Sequence, residues 1–370
     1  MKKILYFAVA AIALMGCSKS EAVYTPSAEI GFMPVSKYDT KAAISGTTYT
    51  KALPFYVYAN AKDNEATKFT SKYFENALFV FEKTESTTTH IYKGDPAQYW
   101  PNVNPLIFAG FTNSGNIATL VTNDITNDAV IVPGGELTTL TINGYQQPEP
   151  TATPVAPATT IDNDFMYFFA DNSGAGYTSQ STYITPVMKH ACSWITINIK
   201  AESDDLLTYW KNLTVTNVKF TGLHESGNVE LSESDAPVWT VAGTPDENGV
   251  AIRTTNLNLT TDFQEAANIE DNTIVIPQDL ANNDSGKTAK VQLSVTYKYT
   301  TPAGIDNFTE TKSLDLFYDG ASKSAWQPGK HYIYNLTVTA TEIKIAPTSK
   351  DWVTDLNNND KDDDNIGKDI

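Results

Sequence analysis

The sequence predicts an all-β protein of two tandem β-sandwich domains with few short helices. Hydrophobic residues recur with a period of two along most of the chain, in runs rich in aromatic and β-branched side chains. Gly, Pro, Asn and Asp separate the runs at short intervals, as turns do in sandwiches. About 350 residues follow Cys17, enough for two independent cores.

The chain opens on a segment outside this pattern. Met1-Lys2-Lys3 is positive, residues 4–15 are apolar, and Leu14-Met15-Gly16-Cys17 closes the run. That is the layout of a secretory signal, too short and wrongly flanked for a membrane span. Leu-x-Gly-Cys resembles a bacterial lipobox, in which the Cys17 thiol takes a diacylglycerol and cleavage before Cys17 frees an amine for acylation. An ordinary signal that happens to end in Cys is the bland alternative. Several acyl chains anchor firmly, at about 0.8 kcal/mol per buried methylene. Residues 1–17 are therefore expected to be a lipoprotein signal, and the protein an outer-membrane lipoprotein of a Gram-negative cell surface.

A first sandwich is expected over residues 18–185. Residues 29–35, Glu-Ile-Gly-Phe-Met-Pro-Val, are apolar enough to pair as a strand. Phe55-Tyr56-Val57-Tyr58, Leu78-Phe79-Val80-Phe81, Leu106-Ile107-Phe108 and Phe165-Met166-Tyr167-Phe168-Phe169 are short aromatic-rich runs bounded by turn residues. Between them, residues 146–160 hold Pro148, Pro150, Pro154 and Pro157, which cannot donate to a ladder. This stretch reads either as an interdomain linker or as a surface loop. The loop reading is preferred, because the 165–169 run and the glycine-rich turn behind it then stay within one domain, and the boundary falls near residues 183–186.

A second sandwich is expected over residues 186–354. The runs at 194–199, 213–220 and 291–297 alternate apolar residues with Thr, Asn, Lys or Ser, which puts one face on a core and the other in water. Helical spacing occurs only at 202–213 and 262–269. Pro328-Gly329 is a strong turn pair, after which Tyr332, Tyr334, Leu336 and Val338 alternate onto one face. Residues 355–370 are acidic and nearly without apolar side chains, so they are expected to form a disordered tail.

Composition and charge exclude several classes of function. Removing Lys2 and Lys3 leaves 24 basic against 43 acidic side chains, a net charge of −19, and Arg253 is the single arginine. A nucleic-acid surface needs clustered Lys and Arg, so no nucleic-acid partner is expected. With Cys17 lipidated, Cys192 stands alone and reads as a buried, inert thiol. Four histidines, His90, His190, His224 and His331, form no HExxH or Cys/His pattern, and neither a glycine-rich phosphate cradle nor a Gly-x-Ser-x-Gly elbow occurs. Abundant carboxylates accord better with an acidic surface than with a glycosidase pair. Asp355 to Asp364 place oxygen ligands at alternate positions, as calcium loops do, without the Gly turn or the closing Glu. No enzyme activity, cofactor or metal is therefore expected. Most aromatics fall at alternating strand positions, where packing explains them, with Tyr99-Trp100-Pro101 the best candidate for exposure.

Three stretches resemble the fimbrillin family, the lipidated subunits of type V pili. They are Tyr99-Trp100-Pro101 followed by 105–111; Val187-Met188-Lys189-His190 followed by 191–195; and, most specifically, Trp326-Gln327-Pro328-Gly329-Lys330-His331-Tyr332-Ile333-Tyr334 continuing to Trp352. The resemblance implies sandwiches of the transthyretin type and a structural or adhesive subunit of a surface fimbria, major or minor. It implies assembly with other fimbrillin subunits by strand addition, an outer-membrane lipid contact through acylated Cys17, and a host or bacterial surface receptor for an adhesive member. In the family a protease removes the N-terminal strand after an Arg, and a neighbour's strand fills the groove. This chain departs there, because Arg253 lies far downstream. Lys41-Ala42 and Lys51-Ala52 occupy comparable places, or the subunit stays uncut as an anchor. The tail also lacks the alternating apolar pattern of a donor strand, which places the chain at a filament end, as tip or anchor. A surface glycan-binding lipoprotein is the alternative, favoured if exposed aromatics line one face.

Overall fold

The computed structural model describes residues 28–36, 54–62, 68–86, 89–101, 104–112, 130–131, 137–147, 164–179, 181, 183–246, 248–267, 273–280, 291–316 and 325–351. Cys17, Lys41, Ala42, Lys51, Ala52, most of the proline-rich stretch and the acidic tail lie outside the described residues. What is described is all-β, with one short helix.

In chain order the first strands are β1 (Gly31–Phe32), β2 (Val35–Ser36), β3 (Phe55–Ala61), β4 (Ser71–Ser86) and β5 (Thr89–Gly94). They continue as β6 (Leu106–Thr112), β7 (Val130–Ile131), β8 (Thr139–Gln146), β9 (Met166–Ala170) and β10 (Val187–His190). Eight of them form one sheet in the order β1-β5-β4-β3-β6-β9-β10-β2. Its pairs are antiparallel except the last, where β2 runs parallel to β10. Every residue of β3 and β6 is buried. Their continuous aromatic runs follow from that, since a strand covered on both faces has no wet side to alternate toward. On one face Phe55, Val57, Phe79, Phe108, Met166 and Phe168 share a core. On the other, Tyr56, Tyr58, Ile107, Phe111 and Tyr167 belong to a second core.

The rest of the chain contributes β11 (Ser193–Ala201), the helix α1 (Asp204–Tyr209), β12 (Lys211–Thr221), β13 (Ser226–Ser232), β14 (Val238–Ala242) and β15 (Val250–Arg253). There follow β16 (Leu257–Asn258), β17 (Gln264–Glu265), β18 (Ile274–Val275), β19 (Gln292–Thr300), β20 (Phe308–Asp315), β21 (Lys330–Val338) and β22 (Ile343–Asp351). One five-stranded sheet orders β17-β11-β21-β22 with β18 beside β11, and a second orders β15-β12-β19-β20 with β16 beside β12. Between them lies the third and largest core, where Ile195, Ile197 and Ile199 meet Val215, Val218, Phe220, Leu293 and Val295.

The Pro328-Gly329 turn reads as expected. Gly329 has φ 67° and donates to Cys192 O at 2.8 Å, then Tyr332, Tyr334, Leu336 and Val338 point inward. Trp326 lies beneath them and its Nε1 donates to Tyr334 Oη at 2.9 Å.

A fourth sheet, β14-β13-β8-β7, covers the second core. Here the 226–242 hairpin shares a sheet with residues from the first half, with Val229 opposite Ile142 and Leu231 opposite Leu140. Of the two helical expectations, 202–213 yields α1, capped by Ser203, whose Oγ accepts from Leu206 N at 3.3 Å. The 262–269 expectation is corrected: residues 264–265 form β17 against β11. The segment's backbone is taken up across the sheet, with Ala266 N donating to Ile197 O at 2.7 Å, and Arg253 donates to the carbonyls of Glu265, Ala266 and Ala267 behind it.

Candidate functional site: the groove around residues 28–36

Without β1 and β2 the sheet ends on β5 and β10, and the one stretch of nine residues that carries β1 and β2 touches both. Toward β5, Ile30 N donates to Gln98 O at 2.8 Å and Trp100 N donates to Ala28 O at 3.0 Å, with Gly31 opposite Lys93 and Phe32 opposite Tyr92. Toward β10, Met33 N donates to Ile184 O at 2.7 Å and Ile184 N donates to Gly31 O at 2.9 Å. Val35 and Ser36 then run parallel to Val187 and Met188. Residues 28–36 therefore lie as a strand between the two edges and close the sheet on itself.

The side chains explain the fit. Ile30, Phe32 and Pro34 alternate inward and are buried, while Glu29 and Met33 are half-exposed. Phe32 enters a cage of aromatic rings, edge-to-face with Phe79 at 4.8 Å, Phe108 at 5.4 Å and Phe55 at 5.7 Å, and 5.8 Å from Phe168. Such pairs prefer this geometry, each adding about 0.5–1.5 kcal/mol to area burial. Gly31 passes under Tyr183 where any side chain would collide, since a Cβ there would lie 2.8 Å from Tyr183 Cδ1. Glu29 Oε2 meets Lys93 Nζ at 2.6 Å and fixes the register at the outer end.

If the segment leaves, two sheet edges lose their partner and four Phe rings face water. Unpaired edges with an apolar floor bind strands, so the groove is built to hold one. Exposed apolar residues flank it: Tyr99, whose carbonyl accepts from Tyr73 Oη at 2.8 Å; Tyr73 itself; and Val187, the partner of Val35. Of the Tyr99-Trp100-Pro101 stretch, Tyr99 is exposed as expected. Trp100 is instead buried against Phe108 at 5.9 Å.

The polar residues singled out from the sequence lie elsewhere and hold structure. His190 Nδ1 pairs with Asp164 Oδ1 at 2.9 Å, both buried, and ties the end of β10 to the residues that lead into β9. His331 stacks on Trp194 at 3.6 Å and bonds Thr196 Oγ1 at 2.9 Å. Cys192 is buried, and burial first, with the charge of Asp164 second, pushes its thiol pKa up, away from the reactive thiolate. Among the described residues no group of three His, Cys, Asp or Glu could hold a metal ion. Lys41, Ala42, Lys51 and Ala52, outside the described residues, fall in sequence between the groove segment and β3. The 29–35 strand is legible in the sequence, whereas the parallel pairing of Val35 and Ser36 with β10 is not. The Ile-Gly-Phe-Met-Pro alternation, with glycine between two apolar anchors, was the available signal.

A family model described as fimbrillin-like matches residues 40–352. Among solved structures, a fimbrial protein from Bacteroides vulgatus is similar at 14% identity, with a TM-score of 0.51 over 88% of this chain and 100% of that one. A cell-adhesion candidate from Bacteroides uniformis is 14% identical, with a TM-score of 0.47 over 88% and 99%. The tip fimbrial protein Mfa3 from Porphyromonas gingivalis, truncated at its C-terminus, is 10% identical, with a TM-score of 0.42 over 88% and 100%. The first of these supports the fold; the other two are too distant to argue from. No functionally curated protein matches the sequence significantly.

Proposed function

Because this chain belongs to the fimbrillin-like family, we propose that it is a structural or adhesive subunit of a cell-surface fimbria that assembles by β-strand complementation at the groove described above. The observation that carries the proposal is the seating of residues 28–36, paired to both sheet edges with Phe32 caged by four Phe rings. In this reading the chain is exported as a lipoprotein, acylated at Cys17, and held in the outer membrane. Cleavage after Lys41 or Lys51, before Ala42 or Ala52, then frees the segment, and a strand from a neighbouring subunit replaces it. Main-chain bonds supply affinity, and alternate side chains in the Ile30, Phe32 and Pro34 positions supply specificity. The 18–185 and 186–354 units act together, tied by the hairpin they share. Residues 355–370 offer no alternating donor pattern, which favours a place at a filament end, as tip or anchor.

The test is the N-terminal sequence of the protein recovered from surface filaments. An N-terminus at Ala42 or Ala52 supports strand removal. A blocked N-terminus at Cys17 on every filament-bound molecule means the segment stays, and the subunit is then an uncut anchor.

A further inference from the structure

The end of the second sandwich farthest from the shared hairpin carries another concavity. Strands β11, β19 and β21 finish there, at Ala201, Thr300 and Val338, and β12, β20 and β22 begin there. The register of β12 against β19 slips between Lys211 and Thr214, and Asn212 takes φ 58°. A bulge of this kind re-aims side chains and opens the ladder. Between it, β16 and the β19–β20 hairpin lies a cavity of about 390 Å³, lined by Asn212, Asn256, Asn258, Lys298, Asp306 and Asn307 among others. Small-molecule sites run from about 300 to 1,000 Å³, so one ring with its substituents fits.

The lining narrows the chemistry. Four carboxamides each bring two N–H donors and a carbonyl acceptor, the match for a ligand whose groups both donate and accept. One cation, Lys298, stands against one anion, Asp306, so no net charge selects an ion. A phosphate ligand would call for more basic groups, and an apolar one for an apolar wall. Two lining side chains are already oriented: Asn258 Oδ1 accepts from Thr214 Oγ1 and Asp306 Oδ1 accepts from Thr300 Oγ1, both at 2.9 Å. A buried aromatic stack supports the cavity from behind. Tyr299 lines the cavity, stacks on Trp210 at 4.1 Å, and lies 5.5 Å from the partly exposed Phe308. Tyr209, Phe263, Ile305 and Phe308 at this end are half of the eight large hydrophobics exposed among the described residues.

Amide groups that match hydroxyls, in a cavity with neither a net charge nor an apolar wall, describe a neutral sugar site. We infer that the cavity binds one neutral saccharide unit, a hexose or N-acetylhexosamine of a surface glycan. This inference does not rest on the groove reading and can fail while that reading stands. The experiment titrates the isotope-labelled full chain with the methyl glycosides of glucose, galactose, mannose and N-acetylglucosamine, each into the millimolar range, and follows backbone and side-chain amide shifts. Expected are saturable shifts for at least one glycoside, centred on Asn256, Asn258 and Asn307. Asn256→Trp, at an exposed position where the indole fills the cavity, should weaken binding by about tenfold or more. Asn256→Ala, which leaves the cavity open, should weaken it less. Absence of saturable shifts with all four glycosides overturns the inference. So do shifts that persist unchanged in Asn256→Trp, or the same shifts produced by calcium chloride alone.

Discussion

Replacing Phe32 with alanine removes a ring that meets Phe55, Phe79 and Phe108 edge-on, inside a core with no route for water. The uncut Phe32→Ala chain should lose about 3–5 kcal/mol, read from the urea midpoint, the range for truncating a buried aromatic. A loss under about 1 kcal/mol, the scale of an exposed site, would mean the segment is not seated as described. Arg253 provides a second residue-scale prediction. Its guanidinium bonds the carbonyls of Thr255, Glu265, Ala266 and Ala267, and desolvation lowers its pKa against the opposing charge of Glu265. An arginine-specific protease should therefore leave the folded chain whole and cut it only in denaturant, as a mass spectrum would record. The sequence presented Arg253 as the single arginine, far from the place the family resemblance favours, and nothing in its neighbours foretold the carbonyl cluster. Three of the four acceptors come from residues 12 to 14 positions away, a distance at which periodicity carries no information.

At the scale of elements, the groove segment is separated from the sheet by a connection in which Lys41 and Lys51 lie. Limited digestion with a lysine-specific protease should cut there first and leave two fragments that stay together, since residues 28–36 are held by main-chain bonds on both sides. Digestion that begins inside β11, β12 or β21 would contradict this order. Legibility from sequence followed the physical origin of each element. The 326–351 hairpin was readable because its signals are local: a Pro-Gly turn and a strict two-residue alternation. Spacing at 262–269 suggests a helix because it cannot report the pairing with β11, whose residues lie more than sixty positions upstream. The aromatic runs of β3 and β6 were legible as strands. That both their faces are covered depends on the segment before them and on β13 and β14, more than a hundred residues downstream.

For the whole molecule, the shared sheet matters most. With β13 paired to β8, the second core is built from both halves of the sequence, and Ile274 and Trp194 pack with Phe165 and Tyr145. The two faces of β3 and β6 thus join the core around Phe32 to one that residues 191–276 help to build, which suits a filament subunit under load. Strand exchange at the groove can be measured by inserting a specific protease site between residues 42 and 51, cutting the folded chain, and adding a fluorescent peptide of residues 28–36 in excess. The peptide should enter one-to-one and displace the native segment, while the same peptide with Phe32→Asp should not. A groove that refuses the native peptide even after its own segment has been stripped in mild denaturant and washed away would contradict strand exchange. Equal uptake of the Asp peptide would do so as well.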